Sequence, residues 1–474
     1  MVGRKREAEE LNRLYNSSEA ELVAIYGRRR VGKTYLVDDV FENKLTFRHA
    51  GMSPAEGRFN GALEEQLLHF HLSLQLHGFT DCKVPGSWME AFFYLEKYLM
   101  KVDDGSRQVV FLDELPWMDT YRSGFIRAFE AFWNTWACHR KNLMVVVCGS
   151  ANSWIVNNLI NNHGGLYNRV TYEIKLEPFT LAECEELLKS RGVKLSRYDV
   201  VQSYMILGGI PYYLRYFEPG NSLAQNIDQL FFEKNAKLSS EYDRLFSAIF
   251  NEPERIKKIV EILNDRNEGY TRSELSLRSG IKDGGVLTKY LNALLASDFI
   301  IKYIPFGKSK KQPYYKLTDA FCMFYLKFVK NRSQLDDSFW QKNVSSQSVS
   351  SWRGFACENV IFNHIGQIKK ALGISSVISS ESAWFEKSEE KGTQIDLLIV
   401  RNDNVINMCE IKFYGGEFSV SKDYYKILQD REMLLSEFAP KKYVVHDTLI
   451  TTNGLKANEY SSIFVKVVTL DDLF

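Results

Sequence analysis

The chain has 474 residues, 45% hydrophobic and 25% charged, a length that calls for about two to four globular domains. Sixty Lys and Arg against 59 Asp and Glu leave a net charge of +1, which excludes a uniformly basic surface and confines nucleic-acid contact to local patches. Seven scattered cysteines without CxxC spacing exclude a zinc site or disulfide framework. The absence of an apolar run of about eighteen residues or a signal-peptide pattern predicts a cytoplasmic protein with no membrane partner.

Residues 1–178 alternate apolar strand-like runs with amphipathic stretches, the pattern of an α/β domain with a parallel sheet. Predicted strands are Glu21–Tyr26, Gln108–Asp113, Asn142–Cys148 and Val170–Leu176. The first runs into Gly27-Arg28-Arg29-Arg30-Val31-Gly32-Lys33-Thr34, which fits GxxxxGK[ST] at every required position, and Tyr35 opens a helix. Strand, glycine loop and helix are the context in which backbone N–H groups turn onto phosphate oxygens beside a helix N-terminus. Gly27 to Tyr35 is therefore the expected nucleoside-triphosphate cradle. Lys33 would reach the β- and γ-phosphates, and Thr34 would ligate Mg²⁺.

The strand Gln108–Leu112 delivers Asp113 to hold Mg²⁺ through a water, and Glu114 to polarise the water attacking the γ-phosphate. Beyond Cys148, Ser150 is the first candidate for a hydrogen bond to that phosphate or water, and Asn152 the second. Arg169 could stabilise transferred charge, in its own chain or a neighbour; the alternative is a surface salt bridge.

These motifs together resemble the prokaryotic archaeal-type ATPase family of the AAA+/STAND group. The resemblance is carried by Val2-Gly3-Arg4 with Glu7, Ile25–Thr34, Leu112-Asp113-Glu114, Cys148-Gly149-Ser150, Leu176-Glu177-Pro178-Phe179 and Gly208-Gly209-Ile210-Pro211-Tyr212-Tyr213-Leu214. It implies ATP as the nucleotide, a five-stranded core with an added strand between the glycine loop and Asp113, and a helical lid over 179–250 carrying Gly208–Leu214.

Residues 251–330 read as a winged helix-turn-helix, a module the resembling family commonly carries. Thr271 and Glu274 form a predicted capping box, Gly280 ends that helix, and Leu287, Tyr290, Leu291 and Leu294 share a face of the next. Phe299–Ile304 and Tyr314–Leu317 would pair as the wing. The second helix offers only Lys282 and Lys289, whereas the wing holds Lys302, Lys308, Lys310, Lys311 and Lys316. Phosphate contact to DNA, through Lys308, Lys310 and Lys311 above all, is better supported than base readout. Solvated lysines on a packing module are the alternative. Serines across 331–351, including Ser333, predict a linker.

In the last segment, 352–474, two apolar strands flank Asn402-Asp403-Asn404. A hairpin centred on Asp403 places Asp396 opposite Glu410, with Lys412 on Glu410's face. Opposed carboxylates about 5 Å apart call for a cation. Asp396 and Glu410 would hold Mg²⁺, or Mn²⁺, while Lys412 orients water. Glu358, on a helix beginning near Gly354, shares an apolar stripe with Phe355, Phe362 and Ile365 and would support the metal or pair with Lys412. The segment resembles the PD-(D/E)xK nuclease-like domain found at the C-terminus of this ATPase family, with Gln394 where relatives often carry an acid. Metal-dependent DNA cleavage, DNA binding without cleavage, and a structural hairpin all remain open here.

The expected protein is thus α/β throughout: a P-loop NTPase core with parallel sheet, a helical lid, a winged helix-turn-helix and a restriction-endonuclease-like α/β domain. ATP would switch the C-terminal modules between states. DNA is the expected partner, and a protein partner the alternative.

Overall fold

The computed structural model describes residues 2–53, 62–150, 152–161, 164–250, 252–330, 336–386 and 393–474. They form two compact units, 1–178 with 248–250, and 179–247 with 251–474.

The first unit is built on five parallel strands: β1 (Glu21–Tyr26), β2 (Leu45–Ala50), β3 (Gln108–Asp113), β4 (Leu143–Gly149) and β5 (Tyr172–Lys175), in the order β2-β3-β4-β1-β5. β3 and β4 are buried along their whole length, which is why both read as unbroken apolar runs. β4 lies between β1 and β3, with Ile25 beside Cys148 and Leu112 beside Val147. The carboxyl ends of these three strands therefore share one edge, the usual place for a ligand in an open α/β sheet. Helices Ala62–Leu76, Trp88–Lys101 and Phe125–Thr135 contribute an aromatic core in which Phe92 stacks on Phe132 and Trp88 meets Phe125 edge-on.

The second unit starts with helices Leu181–Ser190 and Arg197–Leu207. Gly208 and Gly209, both at φ 68°, turn the chain into Pro211–Leu214, and the Phe179 N–H donates to the Gly209 carbonyl at 2.8 Å. A three-stranded antiparallel sheet follows, β6 (Tyr270–Thr271), β7 (Ile300–Tyr303) and β8 (Tyr314–Leu317), in the order β6-β8-β7. It packs with helices Pro253–Asn264, Arg272–Ser279 and Gly285–Ala296. The Thr271–Glu274 capping box is formed, and Leu287, Tyr290, Leu291 and Leu294 are buried.

Residues 331–335, with Ser333, lie outside the described set. The rest of the serine-rich stretch is not a linker: Phe339–Asn343 and Gln347–Asn363 are helices, and Trp340 is buried against Phe324, Phe328 and Trp352. Ser346 caps the longer helix by accepting from the Val349 N–H, so the helix begins well before Gly354. Phe355 is 50% exposed and leaves the expected stripe, whereas Glu358 is buried.

The last sheet holds β9 (Ser379–Glu386), β10 (Thr393–Arg401), β11 (Val405–Lys412), β12 (Val444–Thr451) and β13 (Lys466–Thr469) in the order β13-β12-β11-β10-β9. β9, β10 and β11 are antiparallel, and β11, β12 and β13 parallel, with helix Lys422–Phe438 between β11 and β12 in the chain. Leu397 pairs with Cys409 and Leu398 with Met408, the register of a turn centred on Asp403.

Candidate nucleotide site and C-terminal carboxylate centre

The loop after β1 closes on itself around Lys33. Its ammonium, fully buried, donates to the carbonyls of Gly27 (2.9 Å) and Arg28 (3.2 Å) and to Ser150 Oγ (3.4 Å). Burial lowers its pKa, against the nearby Cys148, Glu114 and Asp113. Phosphate oxygens would replace these carbonyls as acceptors. Gly32 caps the Lys33–Val40 helix at φ 96°. Gly27, at φ 149°, runs so close to the segment after β5 that a Cβ would stand 2.3 Å from the Leu176 carbonyl oxygen. Arg28 and Val31 are buried, Arg29 lies over the Trp117 ring at 5.8 Å, and Arg30 takes φ 72°. Tyr35 is 60% exposed on the helix's outer side.

The Thr34 hydroxyl donates to Asp113 Oδ2 at 2.9 Å, while the other Asp113 oxygen accepts from Cys148 Sγ (2.6 Å) and the Glu114 N–H (2.9 Å). A hydroxyl and a carboxylate meeting beside the glycine loop are hard oxygen donors, and they fit Mg²⁺. Burial, then Asp113, raises the Cys148 pKa well above its ordinary value, so this thiol stays protonated and can donate.

Glu114 sits at φ 47°, a left-handed backbone that turns the chain sharply off β3. Its carboxylate accepts from the Ser150 N–H (3.0 Å) and the Ser150 hydroxyl (2.7 Å). Ser150 thus bridges Glu114 and Lys33. Asn152 is committed elsewhere, its Oδ1 accepting from the Gly27 N–H at 2.8 Å, so it holds the loop in place. Arg169 is exposed in the segment before β5, and no side-chain contact joins it to the loop among the described residues. Arg4 was legible only as part of a motif. Its buried guanidinium donates to the carbonyls of Val31 (3.3 Å) and Glu177 (2.5 Å), tying the N-terminal segment to the loop.

In the second unit, Asp396 and Glu410 lie one step beyond the last β10–β11 pair, Leu397 with Cys409. Asp396 accepts from Gln394 Nε2 at 2.7 Å, and burial raises its pKa. Glu410 is fully engaged: Lys412 Nζ at 2.8 Å, Arg431 Nη1 at 2.9 Å and the Tyr424 hydroxyl all reach it. Glu358 does not pair with Lys412. Its partners are Asn267 Nδ2 (2.6 Å) and Lys316 Nζ (3.6 Å), and burial, then the Asp396 charge, pushes its pKa up to about 7. Lys316 is accordingly buried and unavailable to DNA, whereas Lys302, Lys308, Lys310 and Lys311 are exposed. Among the described residues no group of three or more His, Cys, Asp or Glu is placed to hold a metal. As arranged, these carboxylates face protein cations and do not fit Mg²⁺ or Mn²⁺.

Residues 1–217 match the family profile described as an ATPase domain predominantly from Archaea. Residues 1–217 are thus an ATPase domain of the archaeal type. An uncharacterized protein of Methanocaldococcus jannaschii is 25% identical over 449 residues, 93% of this chain and 94% of its own length. An uncharacterized ATP-binding protein of the same organism is 54% identical over 43 residues, 9% of this chain and 73% of its own. The Walker-type ATPase of Pyrococcus abyssi overlaps 69% of this chain and 96% of its own at 18% identity and TM-score 0.48. The five-stranded sheet includes, as β2, the strand that the family resemblance implied between the loop and Asp113. No helix among the described residues is long and apolar enough to cross a membrane.

Proposed function

We propose that this chain is a Mg²⁺-dependent ATPase whose nucleotide state controls DNA engagement by its second unit. The observation that carries the first half is the convergence of Lys33, Thr34–Asp113 and Ser150–Glu114 at the ends of β1, β3 and β4. Lys33 and the Gly27–Thr34 amides bind and orient the triphosphate. Thr34 and Asp113 would hold Mg²⁺, which supplies charge neutralisation across the phosphates when bound. Glu114 takes a proton from the attacking water, and Ser150, releasing or holding that carboxylate, sets when it can do so. Arg169 remains a candidate for stabilising transferred charge.

The DNA half is supported by a winged helix-turn-helix reading of 253–317. Lys308, Lys310 and Lys311 lie exposed in the β7–β8 connection. Arg255, Lys258 and Lys282 line a cleft of about 570 Å³ at the start of helix Gly285–Ala296. Such a surface suits phosphates. Glu410's full complement of protein partners favours binding without cutting by the nuclease-like domain in this arrangement. Regulation of a protein partner is the alternative use of the same switch.

Replacing Lys308, Lys310 and Lys311 with Ala should weaken binding to unrelated duplexes alike and flatten the log–log salt slope by up to about 2.7, at about 0.9 for each phosphate no longer neutralised. Fluorescence anisotropy across a salt series, with ATP analogue or ADP, reads this directly. Equal slopes for parent and variant would return these lysines to solvent. Duplex cleavage by the parent that Asp396→Asn abolishes would replace binding with cutting.

A further inference from the structure

Lys316 is an unusual wing residue. It lies on the central strand of its small sheet, and both of that strand's faces are covered, so the ammonium is buried. It points out of its own module, to within 3.6 Å of Glu358 Oε2 and 5.5 Å of the Phe362 ring centre. Asn267, three residues before β6, reaches the same Glu358 oxygen at 2.6 Å. Asp396 and Lys316 face one cavity of about 170 Å³, shared with Gln394, Tyr303, Glu268 and Glu381. Sites for small molecules occupy about 300 Å³ or more, so this space has no room for a nucleotide, still less a duplex.

The wing is held there by contacts remote from the carboxylates. The Phe306 N–H donates to the Ala383 carbonyl (2.8 Å) and Ser382 Oγ donates to the Ile304 carbonyl (2.9 Å). Tyr314 meets Phe385 edge-on at 5.3 Å, and Phe306 meets Phe438 at 6.0 Å.

We infer that residues 267–316 act as an internal plug: Lys316 and Asn267 occupy Glu358 beside Asp396, and a divalent cation enters only when the wing leaves the β9 face. The logic is charge exclusion. A buried ammonium already lies against Glu358 and faces the same cavity as Asp396, and a second cation beside it would be repelled. The inference rests on reading 352–474 as a nuclease-like domain, and it accounts for the Glu358 and Asp396 part of that centre, Glu410 being held separately by Lys412 and Arg431. Docking the wing would therefore both shut the centre and anchor the exposed wing lysines against the last domain.

The test is Mn²⁺ titration of the full chain without nucleotide, followed by the electron paramagnetic resonance signal of free Mn²⁺. The quantity read is the binding that Asp396→Asn removes. Lys316→Met should bind at least tenfold more tightly than the parent at that centre, and Lys316→Arg should behave as the parent. Because Lys316→Met leaves Glu358 without its cation, Phe306→Ser provides a second route. It loosens the docked wing while leaving Lys316, Glu358 and Asp396 intact, and it should gain affinity too, with thermal melting confirming the fold. Asp396-dependent binding in the parent as tight as in both variants would overturn the plug and leave the metal centre standing. No Asp396-dependent binding in any of the proteins would overturn the nuclease-like reading and the plug with it.

Discussion

Glu114→Gln is expected to bind ATP about as tightly as the parent and to lose at least about a hundredfold in turnover. Glutamine keeps the size of the side chain and one oxygen that can accept from the Ser150 N–H, now at 3.0 Å, while its amide NH2 can donate to the Ser150 hydroxyl, now at 2.7 Å from the other carboxylate oxygen. It removes the base, and general-base contributions run at about 10²–10⁴ in rate. Lys33, Thr34 and Asp113, which face the ground-state phosphates and the metal position, are untouched. Steady-state phosphate release alongside equilibrium nucleotide binding separates the two effects. Undiminished hydrolysis would take Glu114 out of its role and move attention to Ser150. Ser150→Ala gives a useful contrast, because it keeps the N–H bond to Glu114 and removes only the hydroxyl's links to Glu114 and Lys33.

Gly27→Ala should be the most damaging change of one methyl group in the first unit. The new Cβ would stand 2.3 Å from the Leu176 carbonyl oxygen, a backbone atom that cannot swing aside, at a φ of 149° that L-residues rarely adopt. The Gly27 N–H is also the donor that Asn152 anchors, so any shift carries the loop with it. A cost of about 2–4 kcal/mol is expected for such a clash. In a unit of this size that lowers the unfolding midpoint by about 4–16 °C. ATP affinity should fall in parallel. Gly32→Ala is the control: nothing lies within 4 Å of its added Cβ, and only the left-handed backbone penalty of about 1–2 kcal/mol applies. Calorimetric melting of both variants tests the difference. Equal midpoints would mean that the close approach to Leu176 is not what fixes the loop.

What the sequence disclosed followed from how each segment is buried. β1 and β3 appear over the same residues as expected, because both are enclosed by the sheet and carry uninterrupted apolar runs. β2 has no such signature. It lies at the sheet edge and carries Arg48 and His49, so only the family resemblance pointed to it. The glycine loop announced Lys33 and Thr34, but not that Asn152, 125 residues away, would be spent on the Gly27 N–H. The serine run before Trp352 misled for a definite reason. Ser346 is a helix cap, Ser348, Ser350 and Ser351 face solvent, and Val349 and Trp352 between them are buried.

The hairpin register around Asp403 was legible from alternation alone, and the observed pairs keep it. The surroundings of its carboxylates were not. Arg431 and Tyr424 come from a helix whose docking is set by packing, and Lys316 comes from a strand whose two covered faces make an inward lysine indistinguishable, in sequence, from an outward one. Local pattern fixes period and register, whereas the choice of counterion for a buried carboxylate depends on contacts many residues apart.

Isothermal titration of Mg²⁺-ATP into the full chain and into Lys33→Ala tests the nucleotide site most directly. Lys33 is held by the Gly27 and Arg28 carbonyls of the loop and by the Ser150 hydroxyl. The parent should bind one ATP, and Lys33→Ala should bind at least tenfold more weakly while melting at a similar temperature. Equal affinity in the two proteins would contradict a triphosphate seated on the Gly27–Thr34 loop.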